Sequence, residues 1–184
     1  MKPEIKPYLA LALIIILVDQ LTKIYINANY TVGHSRQILG DFLNFTFVYN
    51  TGGAFGLNFG SFWFYTILST FAIVVILVYF FKTPDKQKIA KLCLAVVAGG
   101  AIGNIIDRMV HGRVIDFIDV NIPDIIIPSF SFLSFTFPGF ELYRWYIFNI
   151  ADAAITVGLI GFIIYLFLQD KFDPKIITEN PATP

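Results

Sequence analysis

Phe62–Phe81 reads FWFYTILSTFAIVVILVYFF, a run without a single charge. A stretch of this kind crosses about 30 Å of hydrocarbon as a helix, at ~1.5 Å per residue. Composition points the same way, with 57% apolar, 17% aromatic and only 14% charged residues and a mean hydropathy of +0.71. Soluble domains carry roughly 25% charged residues, so the chain is read as a membrane protein. Outward from this run, three more segments approach spanning length. Tyr8–Ile26 is strictly apolar through Val18 and then carries Asp19 and Lys23; Ile89–Val110 is glycine-rich and ends near Asp107-Arg108; Trp145–Leu168 holds one charge, Asp152. The expected fold is a membrane all-α, four-transmembrane-helix bundle with spans at about 8–26, 62–81, 89–110 and 145–168. A small extracytoplasmic β-rich loop region accompanies it.

Lys2 and Lys6 before the first span resemble the start of a cleaved leader. No small-x-small site follows, and Asp19-Gln20-Leu21-Thr22-Lys23 continues helix-compatible, so an uncleaved first helix is expected. Zero formal charge argues against a nucleic-acid partner. The one cysteine, Cys93, lies in an apolar run and reads as a small hydrophobe. Lysines set the orientation: Lys2, Lys6, Lys82, Lys86, Lys88, Lys91, Lys171 and Lys175 fall on the side of the termini. The other side has Arg36, Arg113 and Arg144 in its loops and Lys23 and Arg108 at helix ends. Both termini are therefore expected in the cytoplasm.

The outer loops carry their own pattern. Phe42–Tyr49 is aromatic and β-branched, a short strand, followed by a turn through Asn50-Thr51-Gly52-Gly53-Ala54-Phe55-Gly56. Between Phe117 and Tyr146, Ile125–Ile127, Phe130, Phe132, Phe135, Phe137 and Phe140 make a loop too aromatic for water, expected to sit at the bilayer surface. The tail from 173 to 184, proline-rich, is expected to be disordered and cytoplasmic.

Within this frame the acids stand out. Asp116, in Val114-Ile115-Asp116-Phe117, follows the third span; Asp152, in Phe148-Asn149-Ile150-Ala151-Asp152, lies just inside the fourth. A carboxylate at membrane depth costs on the order of 3 kcal/mol, so such groups point to function. Two flanking one outer loop can meet and share a proton. Asp19 and Lys23, at i and i+4, share a helix face and can pair. Asn104, Asp107 and Arg108 also share a face: Arg108 can reach a carboxylate or carbonyl while Asp107 anchors a neighbouring loop. Gly99, Gly100 and Gly103 permit close helix packing. Asn149, one turn from Asp152, can bind substrate backbone or orient the acid.

Hydrolysis by an acid pair fits this inventory best. No serine elbow, reactive cysteine setting or clustered histidines occur; His34 and His111 are isolated in loops, and Asp116, Asp119 and Asp124 lack the rest of a calcium loop. The ionised acid would take a proton from water and the protonated one would polarise the scissile carbonyl. A proton-coupled transporter remains a rival, as does a non-enzymatic scaffold. No internal repeat favours the first, and the second leaves the acids unexplained.

The ordered set Asp19–Lys23, Asn50–Phe55, Gly99–Arg108, Val114–Phe117 and Phe148–Asp152 resembles the lipoprotein signal peptidase (signal peptidase II) family over about residues 8–168. The resemblance implies one integral-membrane peptidase domain, 1–172, in the bacterial cytoplasmic membrane, with the active site near the outer face. It implies an aspartyl endopeptidase that cuts diacylglyceryl-modified prolipoproteins on the amino side of the lipidated cysteine. Asp116 and Asp152 match the catalytic pair. Asn50, Asn104, Arg108 and Asn149 match substrate-binding polar positions, and Asp19, Lys23 and Asp107 match supporting ones. No metal or cofactor is implied; the partners are the prolipoproteins and membrane lipids, and the expected state is a monomer. The stretch around Ile122–Arg144 is longer than the family's usual one.

Overall fold

The computed structural model describes residues 5–52, 62–123, 125–142 and 145–172. The Gly53–Gly56 turn, Asp124, Arg144 and the 173–184 tail lie outside these residues. Four helices correspond to the four apolar segments: α1 (Lys6–Asn29), α2 (Phe62–Lys82), α3 (Lys88–His111) and α4 (Ile150–Phe172). All four are long and apolar enough to cross a membrane. The described residues fall into two compact units, one within 1–20, 66–106 and 150–184, the other within 21–65 and 107–149.

In the first unit the helices meet around Phe80, Leu94 and Ala95, with Tyr8, Ile76 and Phe162 packed against them. Tyr8 meets Phe80 edge-on at 5.4 Å between ring centroids. α3 is the enclosed helix, with 56% of its apolar window buried against 17% for α1 and α2 and 11% for α4. Its glycines explain why. A Cβ on Gly99 would lie 2.9 Å from the Ala12 carbonyl oxygen, and one on Gly100 would collide with the Ala151 carbonyl. Gly158 on α4 faces Val97 and the Cys93 carbonyl in the same way. Residues 93–97 thus oppose 158 while 100 opposes 151–155, so α3 and α4 run antiparallel at backbone contact, as small residues allow. Cys93 itself is half-buried. The outer faces of α1, α2 and α4 expose Leu13, Leu17, Phe71, Val74, Val157 and Phe167, a surface suited to hydrocarbon.

The second unit is built on a three-stranded antiparallel sheet of β1 (Ser35–Leu39), β2 (Leu43–Asn50) and β3 (Val114–Val120), in that order. β2 is the expected strand. β3 corrects the sequence reading, which left Asp116 just past a helix end. Val114–Phe117 are buried on both faces, so VIDFIDV shows no period-2 alternation to betray a strand. A second correction follows from β3. The fourth helix does not begin at Trp145, because the Phe148 N–H donates to the Ile118 carbonyl (3.0 Å) and the Ile118 N–H returns to Phe148 (2.7 Å). With its backbone in that bridge, Phe148 cannot join a helix, and α4 starts at Ile150.

The aromatic stretch forms two nested hairpins. β4 (Ile125–Ile127) pairs with β7 (Phe140–Leu142), and between them β5 (Phe130–Phe132) pairs with β6 (Phe135–Phe137).

Gly158→Val should lower the unfolding temperature in detergent by an amount equivalent to about 1–3 kcal/mol, the usual cost of overpacking. Its Cβ would stand 2.6 Å from Val97 Cγ2 and 3.0 Å from the Cys93 carbonyl. A thermal scan of wild type beside the variant checks this.

Candidate active site

Each of the two acids is held within its own unit. In the second, Asp116 is almost wholly buried, at 1% exposure. Asn50 Nδ2 donates to its Oδ2 at 2.9 Å, and Asn149 Nδ2 donates to its Oδ1 at 2.7 Å. Local structure aims both amides. Asn50 ends β2, and its side-chain oxygen accepts the Gly52 N–H at 2.9 Å, leaving the amino group for Asp116. Asn149 follows the Phe148–Ile118 bridge, which lays it beside β3, and it also donates to the Ile115 carbonyl at 3.3 Å. Burial here is matched by donors, as a carboxylate out of water requires.

The start of β3 is itself anchored. Asp107 Oδ2, at the end of α3, accepts the Ile115 N–H at 3.0 Å and the Lys23 ammonium at 2.9 Å. The Lys23 and Asp107 side chains are each only 2% exposed. The sequence gives Asp107 a neighbouring loop to hold; the structure sets its carboxylate instead on the strand that carries Asp116. Arg108, half-buried, stands in the last turn of α3.

In the first unit, Asp152 lies in the first turn of α4, half-buried, and its Oδ1 accepts Asn104 Nδ2 at 2.7 Å. Asp19 is fully buried on α1. Its Oδ1 accepts the Ala151 N–H at 2.9 Å, and its Oδ2 accepts Gln20 Nε2 at 3.1 Å. Ala151 is one of the first residues of α4, whose N–H groups have no partner inside the helix. Asp19 therefore caps α4 from another helix and places a negative charge at its positive end. Gln20 Nε2 also donates to the Gly103 carbonyl at 3.1 Å, and Gly103 leaves no room for a Cβ, which would fall 2.6 Å from Asp19 Oδ2. The sequence placed Asp19 and Lys23 together on one face of α1; the structure buries both and ties each to an element beyond α1.

Two contributors went unanticipated. Asp119, which the sequence suggests only for a cation site, is buried on β3 and accepts a short hydrogen bond from Thr46 Oγ1. Gln20, adjacent to Asp19, has no role that the sequence alone suggests. A hidden strand explains the first omission; a long-range contact to Gly103 explains the second. His34 and His111 are exposed, as their isolation suggested.

Four apolar helices of membrane-spanning length, with buried and half-buried acids held by asparagine amides, are the pattern of a multi-pass membrane protein. Residues 11–168 match the family described as signal peptidase (SPase) II, and the chain belongs to that family of membrane proteases. Over 158 residues it is 39% identical to a lipoprotein signal peptidase from Burkholderia thailandensis, covering 84% of this chain and 83% of the relative. A lipoprotein signal peptidase from Staphylococcus haemolyticus is 32% identical over 162 residues, covering 88% and 90%. Two solved bacterial membrane enzymes, determined in meso at 2.3 and 1.9 Å, superpose with TM-scores of 0.76 and 0.72 at 29% and 31% identity. The first covers 98% of this chain and 95% of its own, the second 89% and 94%.

Asp107→Asn should cost about 3–5 kcal/mol of stability, because it removes the carboxylate charge that faces the buried Lys23 ammonium. Adding Lys23→Met to it should restore most of that loss, since asparagine still accepts the Ile115 N–H. Thermal unfolding of the single and double variants decides between this and a pair that contributes little.

Proposed function

We propose that the chain is an aspartyl endopeptidase that removes signal peptides from diacylglyceryl-modified prolipoproteins, cutting on the amino side of the lipidated cysteine. The observation that carries this reading is the clamp on Asp116, whose two carboxylate oxygens each accept an amide hydrogen. Membership of the signal peptidase II family and the name of its relatives supply the substrate class.

Asp116 and Asp152 act as a pair that holds one proton between them, since two close carboxylates do not readily both ionise. Two amide donors suit Asp116 to the ionised role, because a carboxylate accepts on both oxygens where a carboxylic acid must donate from one. The ionised acid takes a proton from water as the oxygen attacks the scissile carbonyl. The protonated acid gives its proton to the carbonyl oxygen; as the C–N bond breaks, the proton taken from water passes to the leaving amine and the collapsing diol returns a proton to the second acid. Asn50 and Asn149 orient Asp116, and Asn104 orients Asp152. With Arg108 they line the site and bind the substrate. Asp19, Lys23 and Asp107 support these groups from behind. Metal and cofactor have no part in the scheme.

Residues 1–172 act as one domain, a four-helix bundle in the bacterial cytoplasmic membrane with both termini inside. The β-rich region and the site lie at the outer face, where a lipidated substrate arrives sideways from the bilayer. The enzyme works as a monomer. The excess of lysine on the side of the termini supports this orientation.

Purified protein is given a diacylglyceryl-modified prolipoprotein and, separately, its unlipidated form. Gel-shift cleavage is expected only for the wild type and only for the lipidated substrate. Asp116→Asn and Asp152→Asn should each fall to background while still inserting in the membrane; full activity in either overturns the pair. Asn149→Leu should lower kcat by about 10²-fold, the typical cost of a catalytic group displaced by ~1 Å. Single-turnover kinetics give that measurement.

A further inference from the structure

The inner hairpin of the aromatic stretch has two unlike faces. Register pairs Phe130 with Phe137, Ser131 with Thr136 and Phe132 with Phe135. Cross-strand partners share a face and alternate residues return to it, so Phe130, Phe132, Phe135 and Phe137 stand together. The Phe130 and Phe137 rings lie 5.3 Å apart. Ser131 and Thr136 take the opposite face, their hydroxyl oxygens 3.3 Å apart. At the tip Leu133 turns with φ 52° and is 92% exposed, flanked by Phe132 at 70% and Phe135 at 63%. No charged residue occurs from Ile125 through Phe140. Strands of three residues with a bare phenylalanine face do not hold a hairpin in water; they need a surface on which to lay that face.

Chain order says which surface is at hand. α3 and α4 run antiparallel, so the chain leaves the membrane after His111 and re-enters it at Ile150 on the same side. Everything between is tethered at that bilayer surface. Aromatic rings are favoured at the boundary of headgroups and acyl chains, and an uncharged strip enters that zone without the cost of burying a charge. We propose that the β5–β6 hairpin is a lipid-inserted wedge, with Phe130, Phe132, Leu133, Phe135 and Phe137 in the interfacial and upper acyl zone of that leaflet. Ser131 and Thr136 face the headgroups. The inference rests on the membrane helices and not on the peptidase reading, and its test uses no activity measurement.

The test places an environment-sensitive fluorophore on Leu133→Cys in a Cys93→Ser background. The labelled protein is assembled in nanodiscs of phosphatidylethanolamine and phosphatidylglycerol. Blue-shifted emission is expected, quenched by lipids brominated high on the acyl chain and shielded from aqueous iodide. A label on Asp41→Cys, in the exposed turn between β1 and β2, should show the reverse. Ser131→Cys, on the hydroxyl face, should report a shallower depth than Leu133→Cys and guards against local damage at the tip. Iodide access at position 133 equal to that at 41 overturns the proposal. So does protection from both quenchers; energy transfer between labels in liposomes would then identify a second copy of the chain as the occupant.

Discussion

Lys23 and Asp107 form an ion pair sealed from water, and its carboxylate also holds the backbone at the start of β3. Taking two charges out of solvent costs several kcal/mol per ion, which good geometry and additional hydrogen bonds must offset. Asp107 meets that condition by using one oxygen for both the Lys23 ammonium, at 2.9 Å, and the Ile115 N–H, at 3.0 Å. The pair therefore joins the second half of α1, the end of α3 and the first residues of β3. Asp116 is the next residue after Ile115. A hydrophobic pair of similar volume could pack there, but it could not accept the N–H that fixes the strand's start.

Asp19 performs the corresponding task for α4. Helix N-termini leave N–H groups without partners, and a terminus away from water must find acceptors. Asp19 supplies one to Ala151, and Asp152 lies on the following position of the same turn. Gly103 makes this possible by having no side chain where the Asp19 carboxylate sits. Supporting acids thus act on backbone, while asparagines act on the two acids proposed for chemistry.

Much of this was legible in the chain because hydrocarbon is a demanding solvent. Four apolar runs identify four helices, and glycine spacing identifies the close contacts of α3, since neither signal depends on distant partners. Asp116, Asp152, Asn50, Asn104 and Asn149 stand out by their cost or their motif, and the structure gives each asparagine a carboxylate to hold, although Asn149 holds Asp116 where helical spacing pairs it with Asp152. The hidden parts depend on pairing. β3 is buried on both faces and so lacks alternation; the boundary of α4 is set by a bridge to Ile118, which hydropathy at Trp145–Asn149 cannot register. The partner of Lys23 lies 84 positions away in sequence, too far for any helical spacing rule to find.

The choice of asparagine as donor bears on the proposed chemistry. A lysine or arginine placed where Asn50 and Asn149 stand would also satisfy Asp116, but its charge would favour the ionised form strongly and resist the return of a proton. An amide orients the carboxylate through a hydrogen bond without adding a formal charge, so the acid stays free to exchange its proton during turnover. The amide of Asn104 does the same for Asp152. The cation Lys23 meanwhile pairs with Asp107, which also accepts the Ile115 N–H. Amide donors on both acids proposed for chemistry, beside a buried ion pair at the start of β3, suit the proposed acid-pair hydrolysis.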